Sequence, residues 1–133
     1  MWFCEPVRYS FETAASLIVV PAELLGPGGR ALIPLGLDTG ATTTLISWQT
    51  ALRLGFDPAG SPERVRIITG SSEEYCPPVR LLAMRALGRE VRQVDVLCHD
   101  LPAKSRVRGL LGLNFLRHFD LRVNFKQGFI TLR

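Results

Sequence analysis

Apolar and polar residues alternate over short stretches of this chain, and clusters of Gly, Pro and polar residues interrupt them every few positions, the pattern of an all-β barrel or sandwich. Residues 16–20 and 30–35 flank Gly26-Pro27-Gly28-Gly29, which predicts a first hairpin. The β-branched run of residues 42–46 predicts the next strand. Ser47 is placed to cap a short helix over residues 48–54, with Gly55 as its stop. After a Pro- and Gly-rich loop at 57–62, residues 65–69 read as a strand running into a polar hairpin tip at 70–74. Two longer strands, 79–86 and 91–98, are joined by a turn at 87–90. In the second of them Val94 and Val96 alternate with Gln93 and Asp95. Residues 121–125 and 128–132 predict a terminal hairpin across Lys126 and Gln127. No internal repeat interrupts this order.

Composition narrows the class without changing it. A chain of 133 residues with 47% hydrophobic and 21% charged content is globular rather than disordered. At that length it buries about two thirds of the surface its unfolded form exposes, enough for a core without metal or disulfide staples. Cys4, Cys76 and Cys98 are an odd count with no C-x-x-C spacing, which argues against a disulfide framework or a zinc site. Cys98 and His99 are adjacent, so on a strand they point to opposite faces. Reduced thiols in a cytoplasmic setting are the simplest expectation, and no cofactor or metal is expected. No stretch reaches the length of a membrane span, and the first residues lack the basic-then-apolar order of a signal peptide. The net charge of +4 is spread over single Arg residues except at Lys104-Ser105-Arg106-Val107-Arg108. That cluster has no interleaved aromatic residues and reads as a solvated loop, so no nucleic-acid partner is expected.

One residue stands out against the pattern. In Leu35-Gly36-Leu37-Asp38-Thr39-Gly40-Ala41 a carboxylate interrupts an otherwise uncharged run. Burying an ionised carboxylate is costly unless it is paired or hydrogen-bonded, so its place at the end of an apolar strand points to a use for its proton affinity. Gly40 permits a tight turn there and the Thr39 hydroxyl can brace one.

About seventy residues later comes Gly109-Leu110-Leu111-Gly112-Leu113-Asn114-Phe115. An apolar strand entering Asp-Thr-Gly-Ala, followed downstream by two apolar residues, a Gly and a short helix, resembles the retropepsin-like aspartic proteases, single-domain relatives of pepsin. The resemblance runs from about residue 16 to 133, which makes residues 1–15 an N-terminal extension. It implies a closed β-barrel or sandwich with one or two short helices. It also implies that Asp38 is catalytic, that Thr39 and Gly40 shape the active-site loop, and that Leu110, Leu111 and Gly112 pack beneath it. The hairpin at 65–74 takes the family's place for a flap folding over a bound peptide. Ala41, Thr42, Ile67, Ile68, Thr69 and Gly70 are then the candidate substrate contacts. Viral members usually carry an acidic residue soon after Gly-Ala, where Thr42, Thr43 and Thr44 stand here, so the motif is closer to bacterial and cellular members.

Such an enzyme needs two carboxylates flanking one water, because like charges a few ångströms apart do not both ionise. None of the other acidic residues is followed by Thr-Gly or Ser-Gly. One chain therefore supplies half a site, and a two-fold homodimer is the expected partner arrangement, acting on peptide or protein substrates. Pepsin-like relatives commonly have Ser at position 41, whose hydroxyl favours an ionised dyad, so Ala41 implies an optimum less acidic than pepsin's. The competing reading is a catalytically silent dimerisation or peptide-binding module on the same fold, since function belongs to the site and not to the fold.

Overall fold

The computed structural model describes residues 7–133. Its centre is a closed barrel of six strands, built from β2 (Val19–Gly26), β3 (Gly29–Leu37), β4 (Leu45–Ile46), β7 (Pro78–Ala86), β8 (Arg89–Cys98) and β9 (Gly109–Leu111), in the spatial order β2-β3-β9-β4-β8-β7. The hairpin of β5 (Val65–Thr69) and β6 (Ser72–Cys76) forms a separate two-stranded sheet. A third sheet joins β1 (Val7–Ser10), β10 (Leu121–Asn124) and β11 (Phe129–Leu132) in the order β1-β11-β10. Two short helices, α1 (Trp48–Arg53) and α2 (Leu113–Leu116), complete the fold.

Local chemistry accounts for most boundaries. The β2–β3 hairpin closes on Gly26 and Gly29, and a Cβ at Gly26 would lie 2.4 Å from the Leu54 carbonyl, so the turn packs directly on the end of α1. The Ser47 side chain accepts from the Thr50 amide at the start of α1, and Gly55 with φ +89° ends it. β7 and β8 turn at Leu87 and Gly88, both at positive φ. Val94 and Val96 face inward and Gln93 and Asp95 outward, as their alternation predicts. The barrel interior is a single apolar core in which Leu24, Leu35, Ile46, Met84 and Phe115 are fully buried.

Four expectations are revised. The extension expected over residues 1–15 contributes a strand from residue 7 onward, since β1 pairs antiparallel with β11 in the register Tyr9↔Ile130. Its first six residues, Cys4 among them, lie outside the described residues. The strand expected at 42–46 is only Leu45–Ile46, because residues 42–44 wrap around Gly112. Residues 58–60 form a turn of 3-10 helix within the expected loop. The hairpin tip is Gly70-Ser71 alone, with Ser72, Glu73 and Glu74 paired to β5 in β6. A strand with polar residues on both faces carries no alternation to announce it.

Candidate active site

The order of the barrel decides where Asp38 sits. β3 and β4 are consecutive in sequence, yet β9, from far downstream, lies between them, parallel to β3 and antiparallel to β4. Asp38 leaves the end of β3 and its amide donates to the carbonyl of Leu111 in β9 at 3.1 Å. The two motifs read from the sequence are thus neighbours through backbone hydrogen bonding. The chain then turns tightly, with the Ala41 amide donating to the Asp38 carbonyl at 3.2 Å and the Gly40 amide to Asp38 Oδ1 at 2.8 Å. Among the described residues Oδ2 accepts no protein hydrogen bond, so one carboxylate oxygen is held and the other is open.

Beneath the turn the packing tolerates no side chain. A Cβ at Gly112 would stand 2.7 Å from the Ala41 carbonyl oxygen and 3.0 Å from the Thr44 amide nitrogen. A Cβ at Gly109 would stand 1.9 Å from the Leu45 carbonyl oxygen. Both glycines are therefore required by close backbone approach rather than by an unusual φ. Thr44, fully buried, ties the layers together. Its hydroxyl donates to Asn114 Oδ1 at 2.9 Å and accepts from the Gly112 amide at 3.0 Å, while its own amide also donates to Asn114 Oδ1 at 2.9 Å. Asn114 Nδ2 donates to the Asp95 carbonyl at 2.6 Å, which extends the network to β8. The Leu113 amide donates to the Ala41 carbonyl at 2.8 Å. Neither Thr44 nor Asn114 is singled out by the sequence motifs; the available signal was an Asn two residues after a helix-leading Gly.

Asp38 opens onto a cleft of about 640 Å³ between the turn and β5. Gly40, Ala41 and Thr42 line the side of the turn, and Ile67, Ile68 and Thr69 line the side of the hairpin. Leu110 contributes to the lining together with Leu45 and Leu97, two apolar residues the sequence reading did not select. Leu111 and Gly112 are buried behind it. Thr39 sits exposed at the tip of the turn and Gly70 in the hairpin turn, with φ +58°; neither lines the cleft. Among the described residues Asp38 is the only carboxylate in the lining and Arg66 the only cation. Arg66 is drawn toward Glu73 across the hairpin at 3.3 Å.

At the base of the hairpin Cys76 Sγ lies 3.6 Å from His99 Nδ1, and both Cys76 and Cys98 are buried free thiols. Burial raises both thiols above the usual cysteine range, Cys98 to about 11. Among the described residues no group of three or more His, Cys, Asp or Glu side chains is arranged to hold a metal ion, and no helix is long and apolar enough to cross a membrane.

Comparison with known proteins agrees with this geometry. A family model described as aspartyl protease matches residues 25–115, more than half of the chain and the span holding both glycine motifs. A retropepsin-like aspartic protease from Rickettsia conorii has a similar structure, with TM-score 0.73 at 19% identity over 96% of this chain and 89% of that one. The retroviral protease-like domain of Ddi1 from Leishmania major is similar with TM-score 0.52 at 15% identity over 84% of each chain. At such identities the structural likeness speaks for the fold alone. No curated protein matches the chain in sequence. The fold is retropepsin-like, and the chain belongs to the aspartyl protease family.

Proposed function

We propose that the chain is an aspartic endopeptidase that works as a two-fold homodimer, each copy supplying one Asp38 to a dyad around a shared water. The observation that carries this reading is the presentation of Asp38. Among the described residues its carboxylate is the only one lining the cleft, Oδ1 is fixed by the Gly40 amide, and Oδ2 accepts no hydrogen bond. A single carboxylate in that position lacks the second group that peptide hydrolysis by this route requires, and an isologous contact supplies it as an identical residue at the axis.

The chemistry follows from two like charges held close together, an arrangement for which aspartic proteases are the standard example. One carboxyl of the pair stays protonated and the other ionised. The ionised Asp38 takes a proton from the shared water, whose oxygen attacks the scissile carbonyl carbon. The protonated partner's Asp38 hydrogen-bonds the carbonyl oxygen as negative charge develops there. A proton then passes to the leaving nitrogen and the C–N bond breaks, with no covalent enzyme intermediate. The two apparent pKa values of such a dyad belong to the pair.

An extended peptide would lie between the active-site turn and the β5–β6 hairpin, the latter acting as a flap. Ala41 and Thr42 would meet it from one side and Ile67, Ile68 and Thr69 from the other, with Gly70 reaching it only if the hairpin tip closes down. Thr39, exposed at the turn tip, is available to brace the partner's turn. Leu110, Leu111 and Gly112 support the loop from below. The test is cleavage of a mixed peptide library read by mass spectrometry. Wild type is expected to cleave and Asp38→Asn to leave the library intact; equal cleavage by both would overturn the assignment, and cleavage by neither would favour a silent peptide-binding module.

A further inference from the structure

The cleft runs along the edge of the β5–β6 hairpin rather than beneath one of its faces. Every residue of β5 lines it, whichever face its side chain takes, and among the described residues none of β6 does. The edge of β5 away from β6 is unpaired among the described residues, and such an edge is a template for another strand. The turn fixes its parity. Gly70 and Ser71 make a two-residue turn closing on the pair Thr69↔Ser72, and residues flanking such a turn are a hydrogen-bonded pair. Alternation then makes Ile67↔Glu74 and Val65↔Cys76 hydrogen-bonded pairs as well, so the N–H and C=O groups of Arg66 and Ile68 point to the free edge.

We propose that Arg66 selects the substrate: the segment cleaved carries an Asp or Glu side chain at the position that pairs with Arg66 when the peptide adds to the free edge of β5. This rests on the reading of Asp38 as half of a shared active site, and it names the class of peptide that site takes. A strand added to β5 sets each of its residues on the same face as the β5 residue opposite it. Ile67 packs toward Leu45 and Leu97, so peptide side chains on that face meet apolar walls. The residue opposite Arg66 lies on the other face, which Arg66 shares with Ile68. Among the described residues Arg66 is the only cation lining the cleft, and the only anion is Asp38, whose carboxylate is committed to the chemistry. A carboxylate opposite Arg66 therefore meets an opposite charge, whereas a Lys or Arg side chain there meets a like one.

Arg66 is available for this role. Its Nη1 reaches Glu73 Oε1 at 3.3 Å, a single contact between side chains that are 57% and 52% exposed. Exposed pairs of this kind are weakly held. A guanidinium carries five donors in a planar fork, so it can turn from Glu73 to a substrate carboxylate and engage both oxygens, while Glu73 returns to water. Two-fold symmetry doubles the requirement. The partner's Arg66 lies at the same distance from the paired carboxylates on the other side, so acidic positions flank the scissile bond, one on each side.

Profiling the cleavage sites of a mixed peptide library by mass spectrometry tests this. Wild type is expected to enrich Asp and Glu at one position on each side of the cut. In a peptide taken from that set, replacing one such acidic residue by Gln should lower kcat/KM about fivefold, mainly through KM, and added salt should shrink the difference. Arg66→Gln should cleave both peptides at the lower rate, and Arg66→Glu should turn the preference toward Lys and Arg. Glu73→Gln, which releases Arg66 from outside the cleft, should sharpen the acidic preference. An unbiased profile, or an acidic preference that survives in Arg66→Gln, would overturn the role of Arg66 while leaving the shared active site intact. A wild type that cleaves no peptide would overturn the reading of Asp38, and the selection by Arg66 with it.

Discussion

The Thr44 hydroxyl donates to Asn114 Oδ1 at 2.9 Å, joining residues 70 apart in sequence directly beneath the Asp38 turn. The same hydroxyl accepts from the buried Gly112 amide, so its loss leaves that donor without a partner, while Asn114 Oδ1 keeps only the Thr44 amide. Thr44→Val keeps the shape of the side chain and is expected to cost about 1–3 kcal/mol of stability in urea denaturation. Asn114→Ala should be comparably harmful. Because both act through one network, the double variant should be less destabilised than the sum of the two, by about 1 kcal/mol in a double-mutant cycle.

Gly112→Ala tests the floor of the turn. Its backbone lies in the extended region, with φ −104°, so the penalty comes from contact and not from backbone strain. A methyl group 2.7 Å from the Ala41 carbonyl oxygen must push the turn carrying Asp38 away from β9. Destabilisation of about 1–3 kcal/mol is expected in thermal unfolding. Peptide cleavage should fall more steeply than the loss of folded protein accounts for, because the displaced group is the carboxylate.

The buried thiol gives a pH signature remote from the cleft. Burial pushes Cys98 up to about 11, with Cys76 and Asp100 adding in the same direction. An unfolded cysteine titrates near ~8.5, so the folded state holds the proton more tightly. Cys98 therefore contributes stability that is fully present below about pH 8.5 and is lost as pH rises toward and through the folded value. Urea denaturation of Cys98→Ala should show a shallower alkaline decline than wild type. Alkylation of Cys98 at neutral pH should be far slower in native protein than in urea.

Among the described residues the β5–β6 hairpin is paired only with itself, and isolated two-stranded sheets are marginal in water. Ile67 and Cys76 anchor its base against Leu45 and Leu97, whereas Ile68 near the tip is 70% exposed. Hydrogen exchange should therefore be fastest toward Gly70 and Ser71 and slow in β7 and β8, whose register is continuous with the barrel. A bound peptide or peptide-like inhibitor should slow exchange in β5 selectively. Uniform protection across hairpin and barrel would argue against a mobile flap.

Much of the site was legible because its signals are local or categorical. Asp38-Thr39-Gly40 breaks an apolar strand with a turn, Ser47 and Gly55 bracket a helix, and Leu110-Leu111-Gly112 places a glycine where two backbones meet. Thr44 and Asn114 were not legible, since a threonine in a β-branched run reads as strand, and only the insertion of β9 between β3 and β4 reveals that its hydroxyl faces Gly112. The apolar lining from Leu45 and Leu97 was hidden for the same reason: each looks like core until the hairpin is seen to leave a cleft beside it. β1 escaped notice because its partner, β11, is at the other end of the chain, and four residues of mixed polarity do not announce a pairing that distant.

The central claim is that two copies of Asp38 make one active site, and subunit mixing measures it most directly. Wild type at fixed concentration is incubated with increasing Asp38→Asn chain until subunits have exchanged, and cleavage of a peptide identified from the library is followed. With random pairing and inactive mixed dimers, activity per wild-type chain should fall to about half at equal amounts and to about a tenth at ninefold excess of the variant. Activity that stays constant as the variant is added would show that each chain carries a complete site, and would contradict the account.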